Sequence, residues 1–358
     1  MSPFRTESKL PRTVHLALFA IGLLWLLASR VGAESAADGI SRALHADVLH
    51  GFLSALFRVI LLLTGFTALN WVALRDGSFR STNALPRRPG TAREWRMGAA
   101  FGWALLLFAI LPMMLTGALH PAFWTAPRAW GLSALSLLAL LFGSLATELA
   151  FRGFLFRNLI ASTGPFAATL LLSIIYALSA TSSLNTTPFS FAIALLLGFL
   201  FSMAYLRTHG LWLGWGVRFG WMASMGLLFG LPVAGSVDSA GIVATDVSGP
   251  TWISGGSYGP EGALFTALVL GIGLIVLYRL TREYAWQYTH PHIVAAGHPM
   301  NVAPPAAHVA MERAAPPPPL VQILSSTPQM PSTAPAIVEH FESERSARES
   351  DSSPSNTP

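Results

Sequence analysis

Ser144-Leu145-Ala146-Thr147-Glu148-Leu149-Ala150-Phe151-Arg152-Gly153 sets a carboxylate and a guanidinium inside an otherwise apolar run. An ionisable group in hydrocarbon costs about 2.5–3.5 kcal/mol on insertion scales, so such a group has a partner and usually a role. Arg152 stands four residues after Glu148, which puts both side chains on one helix face. Glu148 is the one acidic residue of seventeen that falls inside a predicted membrane span. Whether the pair belongs to a working site is the question the rest of the chain has to answer.

The run is read as membrane-embedded because of what surrounds it. The 358 residues are 53% hydrophobic and only 11% charged, against about 25% charged in soluble domains. Eight hydrophobic spans are predicted, at about 14–32, 48–74, 97–119, 131–151, 165–181, 190–206, 211–231 and 262–280. Most approach the roughly 20 residues a crossing helix needs. The fifth and sixth are the shortest, and losing the fifth would leave seven. The expected fold class is all-α, a polytopic integral membrane helix bundle of about eight transmembrane helices with a disordered C-terminal tail.

Charge sets the expected orientation. Arg5, Lys9 and Arg12 precede span one, six arginines from Arg75 to Arg96 follow span two, and Arg157, Arg207, Arg279 and Arg282 follow spans four, six and eight. The intervening loops carry Glu34, Asp38, Asp238 and Asp246, with Arg42 and Arg128 as exceptions. By the positive-inside rule both termini are cytoplasmic, and eight spans keep the alternation that seven would break. The net charge of +5 is thus a topology signal, and no nucleic-acid partner is expected; the lipid bilayer is. Val31-Gly32-Ala33 after the first apolar run admits a signal-peptide reading, against which Arg30 and the length of the run favour a retained anchor.

Four segments follow: 1–94, N-terminal helices and a basic loop; 95–231, the membrane core; 232–288, an outside loop and the last helix; 289–358, a tail. The loop 232–260 is rich in Gly and Ser and has no cluster that would make a site. Tyr284-Ala285-Trp286-Gln287-Tyr288 suits a membrane interface. The tail is rich in Pro, Ala and Ser, including Pro316 to Pro319, and cannot bury enough apolar surface to fold. It holds His290, His292, His298, His308 and His340, but irregular spacing reads as a solvated tail rather than a metal site. The proline run reads as a spacer, with docking on an aromatic groove as the alternative.

Glu148 and Arg152 have a plain reading, an interfacial pair with Arg152 snorkelling to the headgroups. Two other arginines fall within spans, Arg58 and Arg218. Arg218 lies among Gly214, Gly216 and Gly220, and the GxxxG spacing of the last two admits a close helix neighbour. Arg218 is expected to pack inward and pair with Glu148. Arg58 reads equally as a structural arginine. The chain lacks cysteine, HExxH, a Gly-rich phosphate loop and GxSxG, and no cofactor or metal is implied.

The run Thr147-Glu148-Leu149-Ala150-Phe151-Arg152-Gly153 resembles the first signature of the CPBP family, the CAAX prenyl endopeptidase-like and bacteriocin-processing intramembrane proteases. The order that follows also fits: a short loop, two apolar spans, the basic turn Arg207-Thr208-His209-Gly210, then Leu211-Trp212-Leu213-Gly214 opening the last motif helix. The resemblance covers about residues 95–231. It implies an all-helical endopeptidase of a bacterial inner membrane, in which a glutamate and a histidine activate water and a histidine and an asparagine stabilise the oxyanion.

Matched residue by residue, the family's two adjacent glutamates fall on Thr147 and Glu148 and its arginine on Arg152. The aromatic of its second motif falls on Tyr176, with Ala180 where histidine is expected. The histidine and asparagine of its third motif fall on Arg218 and Met222. Thr147 is too weak an acid to serve as a base, and Ala180 and Met222 cannot exchange protons. The resemblance therefore implies a degenerate member, a pseudoenzyme that binds a membrane segment or peptide or regulates a partner. Two alternatives stay open: an endopeptidase using Glu148, and a transporter or permease component.

Overall fold

The computed structural model describes residues 10–75, 78–88, 90–123, 127–181, 186–187, 189–233 and 243–282. All lie in one compact unit. The aromatic group at 284–288 and the tail lie outside the described residues.

In chain order the helices are α1 (Arg12–Leu44), α2 (His50–Leu74), α3 (Phe79–Thr82), α4 (Thr91–Leu115), α5 (Pro127–Arg152), α6 (Phe154–Thr163), α7 (Pro165–Ala180), α8 (Ser190–Thr208), α9 (Trp212–Ala223), α10 (Thr251–Ser254) and α11 (Leu264–Leu280). Each predicted span has become a helix, because backbone polar groups in hydrocarbon must be satisfied within the segment. Among the described residues five helical stretches are long and apolar enough to cross a membrane: Arg12–Leu44, Asp47–Ala73, Thr91–Leu115, Trp130–Thr163 and Ser190–Thr208. Pro165–Ala180 and Leu264–Leu280 are shorter apolar helices. The span predicted at 211–231 is α9 continued by a π-helical turn at Ser224–Leu228. The molecule is an all-α membrane helix bundle.

Three sequence expectations need correction. Helix α1 runs unbroken through Val31, Gly32 and Ala33 to Leu44, and α4 starts at Thr91 rather than 97. Glu34, Asp38 and Glu94 therefore also lie in spanning helices, so Glu148 is not alone there; Glu94 is buried. Hydropathy marks only the apolar middle of a helix and misses turns that carry charge. Within the loop expected at 232–260, residues 243–247 form a strand, which the Gly and Ser content did not indicate. Strands β1 (Leu119–Phe123) and β2 (Val243–Val247) pair antiparallel, Leu119 opposite Val247 and Phe123 opposite Val243.

The core positions the site through two devices. The first is close packing of α4 on α9, built from glycines on both sides. A Cβ at Gly98 would lie 2.4 Å from the Leu213 carbonyl oxygen, and one at Gly216 only 2.2 Å from that of Trp95. The GxxxG of α9 thus meets Gly98 and Gly102 of α4, a partner the sequence reading did not name. Small faces of this kind let helix backbones approach without a hydrophobic driving force. The second device is the break at Gly153. Its ψ of −118° is not helical, and a Cβ there would sit 2.6 Å from the Leu149 carbonyl oxygen. The chain turns at that point into α6, whose Phe154, Leu155 and Phe156 are buried. The end of α5 is thereby enclosed in protein instead of meeting water.

Candidate functional site

Glu148 projects from the last turns of α5 into the interface with α9. Arg218 Nε donates to Glu148 Oε1 at 2.7 Å, which is the pairing expected from the sequence. Arg152 Nη1 lies 3.7 Å from the same oxygen, and Arg152 Nη2 donates to the Gly198 carbonyl at 3.1 Å. All three side chains are buried, with Arg152 fully so. The snorkelling alternative fails for that reason: Arg152 is enclosed, with Tyr176 of α7 and Gly198 and Phe201 of α8 around its guanidinium. A Cβ on residue 214 would lie 2.9 Å from Glu148 Oε2, so Gly214 makes room for the carboxylate.

Two arginines crowd one carboxylate, and aromatic faces take part of the remaining charge. Arg218 Nη1 donates to the Tyr176 hydroxyl at 3.0 Å. The guanidinium carbons of Arg152 and Arg218 each stand 5.0 Å from the Tyr176 ring centroid, and those to Phe201 are 5.3 and 4.1 Å. Cation–π attraction strengthens when the cation is desolvated. The remaining donors are less well served: Arg152 Nε, Arg152 Nη1 and Arg218 Nη2 are buried without a hydrogen-bond acceptor.

Beside this cluster lies a cavity of about 400 Å³. Thr147, Tyr176, Ala180, Arg218 and Met222 all line it. Residues spread over 76 positions of sequence are thus brought to one chamber. Glu148 does not line it; its carboxylate is held behind Arg218. Thr147 Oγ1 donates to the Gly143 carbonyl one turn back in its own helix, at 2.9 Å. Arg152 also stands back from the cavity, as a support.

Sequence reasoning missed two features of this chamber. Arg30 and Arg58 line it from α1 and α2, and Glu261 lines it from the short turn before α11. Trp221 Nε1 donates to Glu261 Oε1 at 2.8 Å, fixing the turn to α9. Glu261 had no visible signal, because it lies in a Gly-rich loop outside any span. His15, near the start of the first span, sits elsewhere: its Nδ1 lies 2.9 Å from Asn158 Oδ1 and ties α1 to α6. Among the described residues no group of three or more His, Cys, Asp or Glu could hold a metal ion.

The fold and this region define a membrane helix bundle with a buried Glu–Arg–Arg cluster beside a half-open cavity. Residues 129–224 match the family described as type II CAAX prenyl endopeptidase, Rce1-like. This segment, which contains all of Thr147, Glu148, Arg152, Tyr176, Ala180, Arg218 and Met222, is what the chain shares with the CAAX protease-like membrane proteins. No curated protein and no solved structure matches it.

Proposed function

We propose that this protein is a non-cleaving member of the CAAX protease-like family that uses the intramembrane chamber to bind. The observation that carries this reading is the composition of the chamber at the matched positions: Thr147, Ala180, Arg218 and Met222. A water-activating site needs a proton acceptor within hydrogen-bond reach of the water. The threonine hydroxyl donates into its own helix. The Glu148 carboxylate is held by Arg218 and Arg152 and does not line the chamber. In this reading Glu148 is a structural charge that fixes Arg218 at the chamber wall. Both termini are cytoplasmic, and the membrane is a bacterial inner membrane.

A cleaving alternative has one observation in its favour. Glu261 is the one carboxylate among the residues lining the chamber, so a residual endopeptidase would take Glu261 rather than Glu148 as its base.

Cleavage of a membrane-inserted peptide by purified full-length protein separates the two. The binding reading expects no turnover above background in wild type, Glu148→Gln and Glu261→Gln alike. Turnover in wild type that Glu261→Gln abolishes overturns it. Thr147→Glu, Ala180→His, Arg218→His and Met222→Asn made together are expected to restore cleavage, since these positions share one chamber.

A further inference from the structure

The chamber carries more positive charge than the site described above uses. Arg30, Arg58 and Arg218 line it, with Arg152 behind; the carboxylates facing them are Glu148 and Glu261. Glu148 is already engaged by two arginines, and Glu261 by Trp221. Glu34, one turn beyond Arg30, accepts from Ser54 Oγ at 2.9 Å and lies 3.5 Å from His50 Nε2. Neither Arg30 nor Arg58 has a carboxylate within 4.0 Å among the described residues. Arg58 Nε is buried without an acceptor, and so is Nη2 of Arg218, a residue only 5% exposed. Arg30 and Arg58 both stand within spanning helices. Guanidinium donors left without acceptors at membrane depth are costly, and an anion with several oxygens is what satisfies them. Arginine forks match phosphate oxygens in a bidentate manner.

A second cavity adjoins the first. It has a volume of about 300 Å³ and shares Arg58, Met222 and Val233 with the first. Its remaining walls are small or apolar, including Ala55, Ala139, Leu140 and Gly143 of α2 and α5. A cationic cavity and a mostly apolar one, whose polar groups besides Arg58 are the hydroxyls of Ser54 and Ser136, thus share the Arg58 wall, an arrangement that suits a charged head and an apolar chain.

We propose that the paired chambers bind an anionic lipid, its phosphate held by Arg58 and Arg218 and its acyl chain between α2 and α5. This deepens the binding reading above and rests on it. Arg30 is exposed, and it guides the headgroup from the rim.

The test uses the full chain in neutral maltoside micelles, titrated with lysophosphatidylglycerol, lysophosphatidylcholine or inorganic phosphate, and read by native mass spectrometry and thermal midpoint. One equivalent of lysophosphatidylglycerol is expected to bind and raise the midpoint, with lysophosphatidylcholine at least tenfold weaker. Arg58→Gln is expected to weaken lysophosphatidylglycerol about tenfold, the scale of one charge-assisted contact, and Arg58→Lys less. Ala139→Leu, which fills the apolar chamber, is expected to weaken the lysolipid while leaving inorganic phosphate unchanged. Equal binding of the two lysolipids overturns the proposal, as does full affinity in both Arg58→Lys and Ala139→Leu. Tight binding of inorganic phosphate with no gain from the acyl chain also overturns it. If a membrane peptide binds where the lysolipid does not, this inference fails and the binding reading stands; if neither binds, both fail.

Discussion

Replacing Glu148 by Gln removes one charge and almost no volume, and it leaves Arg152 and Arg218 buried side by side. Two unit charges about 4 Å apart interact by about 4 kcal/mol at an effective dielectric constant of about 20. Glu148 holds one guanidinium at 2.7 Å and the other at 3.7 Å, so its loss turns two attractions into one uncompensated repulsion. Removing one partner of a buried pair typically costs about 3–5 kcal/mol, and Glu148→Gln is expected at the upper end of that range. Arg218→Gln is expected to cost about half as much, because Arg152 remains as partner for Glu148. The double variant is expected to cost about 2 kcal/mol less than the two single losses together, a coupling within the usual range for groups in contact. Unfolding by a denaturing detergent in mixed micelles, followed by far-ultraviolet circular dichroism, measures all three. The exposed Glu34→Gln serves as the control, at under about 1 kcal/mol. Strict additivity would refute the argument, since it would mean that Glu148 and Arg218 contribute independently despite their contact.

Two further outcomes follow from the packing and from a histidine outside the spans. Gly216→Val is expected to prevent stable folding, with loss of more than about 3 kcal/mol from overpacking, because its Cβ has only 2.2 Å to the Trp95 carbonyl oxygen; Gly131→Ala, with open space around it, should leave the melting midpoint within about a degree of wild type. His209, at the end of α8, has its pKa lowered from 6.5, first by burial and then by Arg88. Its contribution to stability is full above pH 6.5 and is lost as pH falls through the lowered folded value, because the unfolded chain there binds the proton more readily. His209→Asn, which suits the left-handed backbone at φ 50°, should flatten that part of the stability–pH curve, read as the difference from wild type.

The fold and the site were legible to different depths, for physical reasons. Hydrophobic runs located every spanning helix because lipid imposes one rule on all of them. Their ends were misplaced where charged turns continue the helix, as at Glu94 and at Glu34 and Asp38. The pairing of Glu148 with Arg218 was readable because few charges enter the apolar runs and each needs a partner. Small-residue spacing gave one side of the α4–α9 contact, at Gly216 and Gly220. The other side, Gly98 and Gly102, has the same spacing, but spacing alone does not say which helix is the neighbour. Glu261 and the strands could not be read, because a loop residue's place depends on where the bundle's ends meet and sequence distance carries no record of it.

The arrangement explains why the two halves of the family pattern can be expected to change at different rates. Glu148, Arg152 and Arg218 are coupled: each is buried, removing Glu148 leaves two guanidinium groups without a counter-charge, and removing either arginine leaves the carboxylate with one partner instead of two. Gly214 and Gly153 are tied to the same cluster by lack of space. Thr147, Ala180 and Met222 instead face a chamber of about 400 Å³, where a side chain can shrink or lose its charge without unbalancing anything beside it. On the proposed reading, loss of chemistry at these positions costs the fold little, while loss at the charge cluster costs it much. A chain freed from cutting would keep its buried ion network and its Phe151-Arg152-Gly153 turn, and would vary first along the chamber wall. Arg218 is the informative exception, since it serves both sides. It closes the ion network through Nε and leaves Nη2 without an acceptor, so one side chain both holds the bundle together and supplies the charge that an anionic ligand would meet.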